Sequence, residues 1–190
     1  MGKSASGKDH IYARLAAHEG LGLKKLVLYT TRPIRAEEEN GKQYYFVDDK
    51  KLEEFRSSGN LIEARAYHTV HGIWNYFTAD DGQVDLENAD YLGIGTLESY
   101  VKMREYYGEE ALCPIYIEVE DGTRLIRAVE RERTQEHPGY EELCRRFLAD
   151  AKDFSEENLK NAGITRRFEN KDMNACLEEI KLFIQKAILI

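Results

Sequence analysis

The first residues of the chain have the types and spacing of a loop that binds phosphate. Residues 2–8 match the pattern G-x-x-x-x-G-K, and a helical pattern begins directly behind them. Small residues let successive backbone N–H groups point at one anion, and the helix amino terminus adds partial positive charge. The sequence therefore predicts a phosphate-binding loop, against the alternative of a flexible Gly/Ser tail with a chance match. The loop residues are Gly2, Lys3, Ser4, Ala5, Ser6, Gly7, Lys8 and Asp9.

Two features of this loop depart from the usual pattern. Asp9 stands where the motif normally has a Ser or Thr whose hydroxyl ligates Mg²⁺, so the expected metal ligand here is a carboxylate. A buried strand normally precedes such a loop, but only Met1 precedes Gly2. We therefore expect the first core strand to be missing from the sequence through truncation, or its place to be taken by another segment.

A second group of residues is suited to holding a phosphate dianion. Arg32 and Arg35 lie in a polar, turn-like stretch, and Tyr44 follows in an aromatic strand pattern. Two planar guanidinium groups that converge with a phenol hydroxyl form a receptor for phosphate. The alternative is a pair of solvated arginines and a core tyrosine. Glu63, at the end of an apolar strand pattern, is either an acceptor for N–H donors of a ligand or a solvated carboxylate.

Composition excludes several classes of protein. The 27 basic and 35 acidic residues among 190 give a formal charge of −8, which disfavours a nonspecific nucleic-acid binder. The three cysteines have neither CxxC nor Cys/His spacing, which argues against a disulfide framework or a zinc site. Neither a membrane-spanning run nor an amino-terminal signal pattern is present, so we expect a cytoplasmic protein.

Helical and strand patterns alternate along the chain, as in α/β proteins. Residues 25–29, 91–94 and 112–119 are short apolar runs typical of buried parallel strands, and helical patterns at 97–107 and 123–133 flank the last two. Between them lies a β-rich block with strand patterns at 43–47, 61–67 and 70–77 and a helical pattern at 52–56. The predicted division is a core of residues 1–31 and 86–190, an insertion of residues 32–85, and a lid of residues 126–146.

Residues 30–46 connect the chain to a known family. They match the pattern T-T-R-x-x-R-x-x-E-x-x-G-x-x-Y-x-F at every fixed position, downstream of the phosphate loop. In this the chain resembles the guanylate kinase family. The resemblance implies a three-layer P-loop kinase core with a parallel sheet, a small β-rich acceptor-binding insertion and a helical lid. It also implies ATP as phosphoryl donor with Mg²⁺, and GMP as acceptor.

The resemblance assigns roles to single residues. Arg32, Arg35 and Tyr44 would hold the α-phosphate of GMP, and Glu63 would bind guanine. Lys8 would act in catalysis with three lid arginines, with Arg133 and Arg145 as nearby competitors. Asn170, at a strand end, would lie near the adenine of ATP. The lid arginines are Arg127, Arg131 and Arg146.

The family pattern breaks near the metal and the acceptor base. Gly93 and Gly95 stand where the family has aspartates, and Asp9 or Glu118 is the expected substitute as metal ligand. Trp74 and Tyr76 lie in an altered acceptor segment, where they either contact a base or belong to the core. Two other functions stay open: a phospho-ligand-binding module without catalysis, and a kinase for another small phosphorylated acceptor.

Overall fold

The computed structural model describes residues 1–69 and 72–188, and the chain divides into two compact units. The first unit comprises Met1–Gly22, Ile94–Val101 and Cys113–Ile190. The second unit comprises Leu23–Gly93 and Lys102–Leu112, and it contains the whole of the predicted insertion.

Helices and strands alternate in the order that the sequence patterns predict. The helices are α1 (Lys8–Ala16), α2 (Asp49–Ser58), α3 (Leu97–Tyr107), α4 (Asp121–Arg133), α5 (Tyr140–Asp153), α6 (Glu156–Asn161) and α7 (Met173–Ile188), with 3₁₀ turns at Glu19–Leu21 and Glu109–Ala111. The strands are β1 (Lys24–Lys25), β2 (Leu28–Thr30), β3 (Tyr44–Phe46), β4 (Leu61–Thr69), β5 (Gly72–Ala79), β6 (Tyr91–Leu92), β7 (Tyr116–Glu118) and β8 (Arg167–Glu169).

The first unit is built around the parallel pair β7 and β8. Strand β7 pairs with β8 from Tyr116 opposite Arg167 to Glu118 opposite Glu169. Met1 lies beside β7, where its amino group donates to the Ile115 carbonyl at 2.7 Å and its carbonyl accepts from the Ile117 N–H at 2.9 Å. The buried side chains of α1 and α7 recur at helical spacing, so each helix buries one face. These side chains are Ile11, Leu15, Cys176, Ile180 and Ile184.

The second unit contains a four-stranded sheet in the order β3-β2-β5-β4, in which only β2 and β3 are parallel. Helix α2 buries Leu52 and Phe55 in the same core as Tyr29 and Phe77. The rings of Tyr29 and Phe77 stack with centroids 5.0 Å apart. A separate parallel pair joins β1 to β6. The predicted α/β class with parallel strands is confirmed.

The apolar run at residues 25–29, predicted as one strand, forms two strands with a break at Val27. The side chain of Gln83 explains the break, because its Oε1 accepts from the Val27 N–H at 2.9 Å and its Nε2 donates to the Val27 carbonyl at 3.1 Å. One side-chain amide thus takes both backbone groups that a neighbouring strand would otherwise bind. The strand predicted at residues 70–77 is observed as β5, although residues 70 and 71 lie outside the described residues.

Within the described ranges, every helix is too short or too polar to cross a bilayer.

Replacing Gln83 with Glu will destabilise the second unit. A carboxylate cannot donate to the Val27 carbonyl, and leaving that half-buried group unsatisfied costs about 1–3 kcal/mol. The free energy of unfolding, measured by urea titration, will fall by this amount. Gln185→Glu, an exposed change on α7, is the matched control and leaves stability within about 0.5 kcal/mol. Equal stability of the two variants would contradict a stabilising role for the hydrogen bonds between the Gln83 side chain and the Val27 backbone.

Candidate active site

The predicted phosphate loop runs from Gly2 to the amino terminus of α1. Ala5 and Gly7 both have left-handed backbone conformations, with φ of 61° and 84°. Gly2 is closely packed, since a Cβ placed on it would lie 2.6 Å from the Ile117 carbonyl oxygen. Ser6 is buried, and its hydroxyl has no hydrogen-bond partner among the described residues. The loop thus keeps the small residues and positive φ angles of an anion-binding loop.

Asn170 supports this loop from behind. Its buried side-chain Nδ2 donates to the Ser6 carbonyl at 2.8 Å, and its backbone N–H donates to the Glu118 carbonyl at 2.8 Å. A Cβ on Gly7 would lie only 2.5 Å from Asn170 Nδ2, so the glycine allows this close approach. The structure therefore places the Asn170 amide against the loop backbone. Its predicted contact with the donor adenine stays a prediction.

A buried arginine that sequence reasoning missed connects the loop to α4 and α5. Arg124 is 1% exposed and donates to Asp121 at 2.9 Å, to Asp150 at 3.2 Å and to the Ser4 carbonyl at 3.4 Å. Its guanidinium carbon lies 4.1 Å from the ring centroid of Phe147. Asp150 also accepts from the Ser4 N–H at 2.8 Å. The backbone of Ser4 is therefore held on both sides by one ion pair.

The predicted lid arginines occupy different places. Arg131 and Arg146 line an open cavity of about 170 Å³ together with Ser4 and His137. Arg146 Nη2 lies 3.4 Å from Ser4 Oγ. Arg127 instead donates to the Asn170 carbonyl at 3.2 Å. The structure therefore brings two of the three arginines together beside the loop.

The two competing arginines are both exposed. Arg145 forms an ion pair with Glu142, with 2.6 Å between Arg145 Nε and Glu142 Oε2, whereas Arg133 is exposed at the end of α4. Neither lines the cavity.

The expected metal ligands are sparse. Asp9 is exposed, and Lys8 Nζ lies 3.4 Å from its Oδ2. Glu118, the alternative ligand, forms an ion pair with Arg167 at 2.9 Å. Within the described ranges, no three His, Cys, Asp or Glu residues gather as a metal site. A single carboxylate nevertheless fits Mg²⁺, which keeps several waters and takes further oxygens from a nucleotide.

In the second unit, Arg32 is the centre of the predicted phosphate receptor. Its side chain is 3% exposed and forms a two-pronged ion pair with Glu38, with both N–O distances at 2.8 Å. Nη1 also donates to the Pro33 carbonyl at 2.8 Å, and Nε donates to the Tyr76 hydroxyl at 3.1 Å. The guanidinium carbon lies 5.7 Å from the ring centroid of Tyr44. Four of the five N–H groups of Arg32 are therefore engaged by the protein.

Glu38 and Tyr76 complete this cluster. Sequence reasoning assigned no role to Glu38, and it considered Tyr76 as a base contact or a core aromatic. Hydrogen bonds from Arg32 lower the pKa of Glu38 to about 2, helped by the Arg35 backbone N–H at 2.9 Å. The same bonds raise the pKa of Arg32. The Tyr76 ring packs edge-on against Tyr44 with centroids 5.5 Å apart. The fixed Glu of the 30–46 pattern was the signal for Glu38.

Arg35 is exposed, and its guanidinium projects from the loop that Glu38 holds. Tyr44 is half-buried. The structure thus brings Arg32 and Tyr44 together and leaves the side chain of Arg35 at the surface.

Glu63 is buried rather than a solvated strand end. Its side chain is 2% exposed and forms an ion pair with Arg65 at 2.9 Å. Thr78, directly opposite on β5, donates its hydroxyl to Glu63 at 2.8 Å. Arg65 and Thr78 are further residues that sequence reasoning missed.

The two glycines at the family's aspartate positions differ in the space around them. A Cβ on Gly95 would lie 2.3 Å from Ser99 Oγ, which is held by hydrogen bonds to Thr96. A Cβ on Gly93 would make ordinary contact with Leu26 at 3.5 Å. Local packing therefore explains the glycine at 95 but not the one at 93.

The ion pair of Glu38 makes stability depend on pH. The pKa of Glu38 is lower in the folded protein than in the unfolded chain, so its contribution is complete above about pH 5 and is lost as the pH falls toward 2. Glu38→Gln will lower the free energy of unfolding by about 1–3 kcal/mol at neutral pH. The difference from the wild type will shrink between about pH 5 and pH 3, as measured by urea titration at each pH.

Glu39→Gln is the matched control, because Glu39 is exposed and forms a surface ion pair with Lys42. A Glu38→Gln deficit that stays constant over this pH range would contradict the lowered pKa.

Comparisons with known proteins agree with the fold and the loop pattern. The family model described as guanylate kinase matches residues 1–74. The chain is 26% identical to a guanylate kinase of Porphyromonas gingivalis over 97% of this chain and 94% of that protein. It is 37% identical to a guanylate kinase of Wolbachia pipientis over 37% of this chain and 35% of that protein. A crystal structure of guanylate kinase from Anaplasma phagocytophilum shares the fold, with a TM-score of 0.62 and 24% identity over 97% of this chain and 82% of that one. The chain is therefore similar to guanylate kinases in sequence and shares their fold.

Proposed function

We propose that the protein transfers the γ-phosphoryl group of ATP to GMP, which gives ADP and GDP. The observation that carries the proposal is the presence, in one chain, of two separate arrangements suited to phosphate. One is the loop from Gly2 to Lys8 at the start of α1, and the other is the cluster around Arg32. Similarity to proteins named guanylate kinase supports the same conclusion.

The loop in the first unit is the proposed site for the phosphates of ATP. Its backbone N–H groups and the amino terminus of α1 favour an anion, and Lys8 supplies a full positive charge. Arg131 and Arg146, which line the cavity beside Ser4, are the proposed partners of the transferring group. The 3.2 Å bond from Arg127 to the Asn170 carbonyl supports a different role for that side chain, namely fixing α4 behind the loop.

Asp9 is the proposed Mg²⁺ ligand, directly or through water. When bound, the ion would neutralise charge on the β- and γ-phosphates, and the nucleotide and water would supply its other oxygens.

The cluster in the second unit is the proposed site for the phosphate of GMP. Arg32 has one N–H left for a ligand, so it cannot grip the phosphate with both prongs while Glu38 holds it. Its main contribution is positive charge at a fixed position. Arg35 and the Tyr44 hydroxyl would then provide most of the direct contacts, because Arg35 is exposed and its loop is held by Glu38.

The chemistry needs no protein nucleophile. An oxygen of the GMP phosphate is already anionic and forms the new bond to the γ-phosphorus, while the bond to the β–γ bridging oxygen breaks and ADP leaves. Catalysis then consists of positioning and of neutralising charge on the transferring group. Lys8, Arg131 and Arg146 are the residues of this chain that supply that charge.

A coupled assay of ADP release with ATP, Mg²⁺ and a panel of nucleoside monophosphates tests the proposal. We expect ADP release that depends on GMP, with AMP, CMP and UMP far slower. Binding of GMP without turnover would indicate a phospho-ligand-binding module instead. Turnover of a different acceptor alone would indicate another substrate class. The cytoplasmic location stays a prediction from the sequence.

Lys8→Met supplies the control against a contaminating host kinase. Loss of the loop lysine will reduce kcat/KM by about 10²–10³, as expected when one charge-stabilising donor is removed. Lys186→Met, an exposed change on α7, will leave kcat/KM unchanged. Activity that survives Lys8→Met at the wild-type level would not belong to this loop.

Replacing Arg35 with Met will weaken the acceptor and not the donor. A charge-assisted contact to phosphate contributes about 1.5–3 kcal/mol, so KM for GMP will rise roughly 10–100-fold while KM for ATP stays the same. Arg56→Met, which removes an exposed ion pair with Glu53 on α2, is the control in the same unit. An unchanged KM for GMP would remove Arg35 from the phosphate site.

A further inference from the structure

Donors from the protein itself occupy most of the hydrogen-bond acceptor positions of the Glu63 carboxylate. Oε2 accepts from Arg65 Nε at 2.9 Å. Oε1 accepts from Arg65 Nη2 at 3.2 Å and from Thr78 Oγ1 at 2.8 Å. A carboxylate offers about four acceptor positions, two on each oxygen. Oε1 is therefore saturated, and Oε2 keeps one position that no donor among the described residues takes.

This arrangement is a direct result of the strand pairing. Residues two apart on a strand share a face, so Glu63 and Arg65 lie side by side on β4. Thr78 on β5 is paired directly with Glu63. The ion pair is well buried, with side-chain exposures of 2% for Glu63 and 10% for Arg65. Separating such a pair leaves a buried charge without compensation, so the arrangement will persist when a ligand binds.

Guanine presents two neighbouring donors on one edge, N1–H and the exocyclic 2-amine. A carboxylate that binds both uses one free position on each oxygen. Glu63 has a free position only on Oε2, so it can accept N1–H and leaves the 2-amine without its usual partner. Hypoxanthine has N1–H and lacks the 2-amine. Adenine has a lone pair at N1, which a carboxylate repels.

We propose, resting on the function above, that this acceptor site selects 6-oxopurine nucleotides through N1–H alone and does not require the 2-amine. IMP is then an acceptor about as good as GMP, whereas AMP is excluded. Arg65 and Thr78 set this selectivity by occupying the acceptor positions of Glu63. They are positioning residues, because they act through Glu63.

Isothermal titration calorimetry with GMP, IMP and AMP, without ATP, tests the proposal. The dissociation constants of GMP and IMP will agree within about threefold, and AMP will bind at least about tenfold more weakly, since one hydrogen bond contributes roughly a factor of ten. A preference for GMP over IMP of tenfold or more in the wild type overturns the proposal.

Thr78→Val provides a second test, because it frees one position on Oε1 without removing a charge. Guanine can then place both donors on Glu63, so the preference for GMP over IMP will rise about tenfold. Thr78→Ser keeps the hydroxyl and will keep the wild-type ratio. Circular dichroism will check that both variants are folded. A Thr78→Val variant that binds GMP and IMP in the wild-type ratio contradicts the role of Thr78.

Arg65→Met supports these measurements from the other side of the carboxylate. This change frees one position on each oxygen of Glu63, so both donors of guanine can bind and the preference for GMP over IMP will rise in the same direction.

The two proposals fail in different ways. Absence of ADP release with normal GMP binding refutes the kinase activity, and the GMP-to-IMP ratio still decides the base selectivity. Release of ADP with GMP but not with IMP supports the kinase activity and overturns the selectivity. Failure of every nucleotide to bind overturns both.

Discussion

The phosphate loop depends on one buried ion pair, formed by Arg124 and Asp150. Asp150 accepts from the Ser4 N–H, and Arg124 donates to the Ser4 carbonyl. The ion pair therefore holds the peptide groups before and after the Ser4 Cα. Because Arg124 is 1% exposed, water cannot reach it to replace these contacts, and breaking the ion pair would cost free energy. The same pair ties α4 to α5. Arg124 and Ser4 also line the cavity that contains Arg131 and Arg146, so the ion pair contributes both to the loop and to the wall of this cavity.

The second unit also contains buried ion pairs, and there they involve side chains proposed to bind the ligand. Arg32 is held by Glu38, and Glu63 is held by Arg65, so these two groups are each paired with an opposite charge before a ligand binds. Such pairing reduces the entropy lost on binding, because the side chains are ordered in advance. It also consumes hydrogen-bonding positions. Among the described residues, Arg32 has one N–H without a partner and Glu63 has one acceptor position without a donor. Both side chains are therefore fixed in position, and each can form few hydrogen bonds to a ligand.

Sequence patterns predicted those parts of the site that depend on interactions between residues close together in the chain. The loop pattern, the helical period of α3 and the strand alternation of β4 each depend on residues close in the chain. The partners of the functional side chains were not predictable in this way. Asp150 lies 26 residues beyond Arg124, Tyr76 lies 44 beyond Arg32, and Gln83 lies 56 beyond Val27, the residue whose strand it interrupts. The tertiary fold brings these residue pairs together, and helical or strand periodicity in the sequence does not predict such long-range contacts.

Phosphate binding and base selection depend on different physical interactions. Phosphate binding depends on charge, which acts over several ångströms and tolerates small changes of geometry. Base selection depends on how many hydrogen-bonding positions are left over, so a single added donor changes the outcome. Thr78 and Arg65 are such donors toward Glu63. The proposed phosphate-binding residues at positions 2–8 and 30–46 can therefore stay the same while the proposed choice of base changes through two neighbours of one carboxylate.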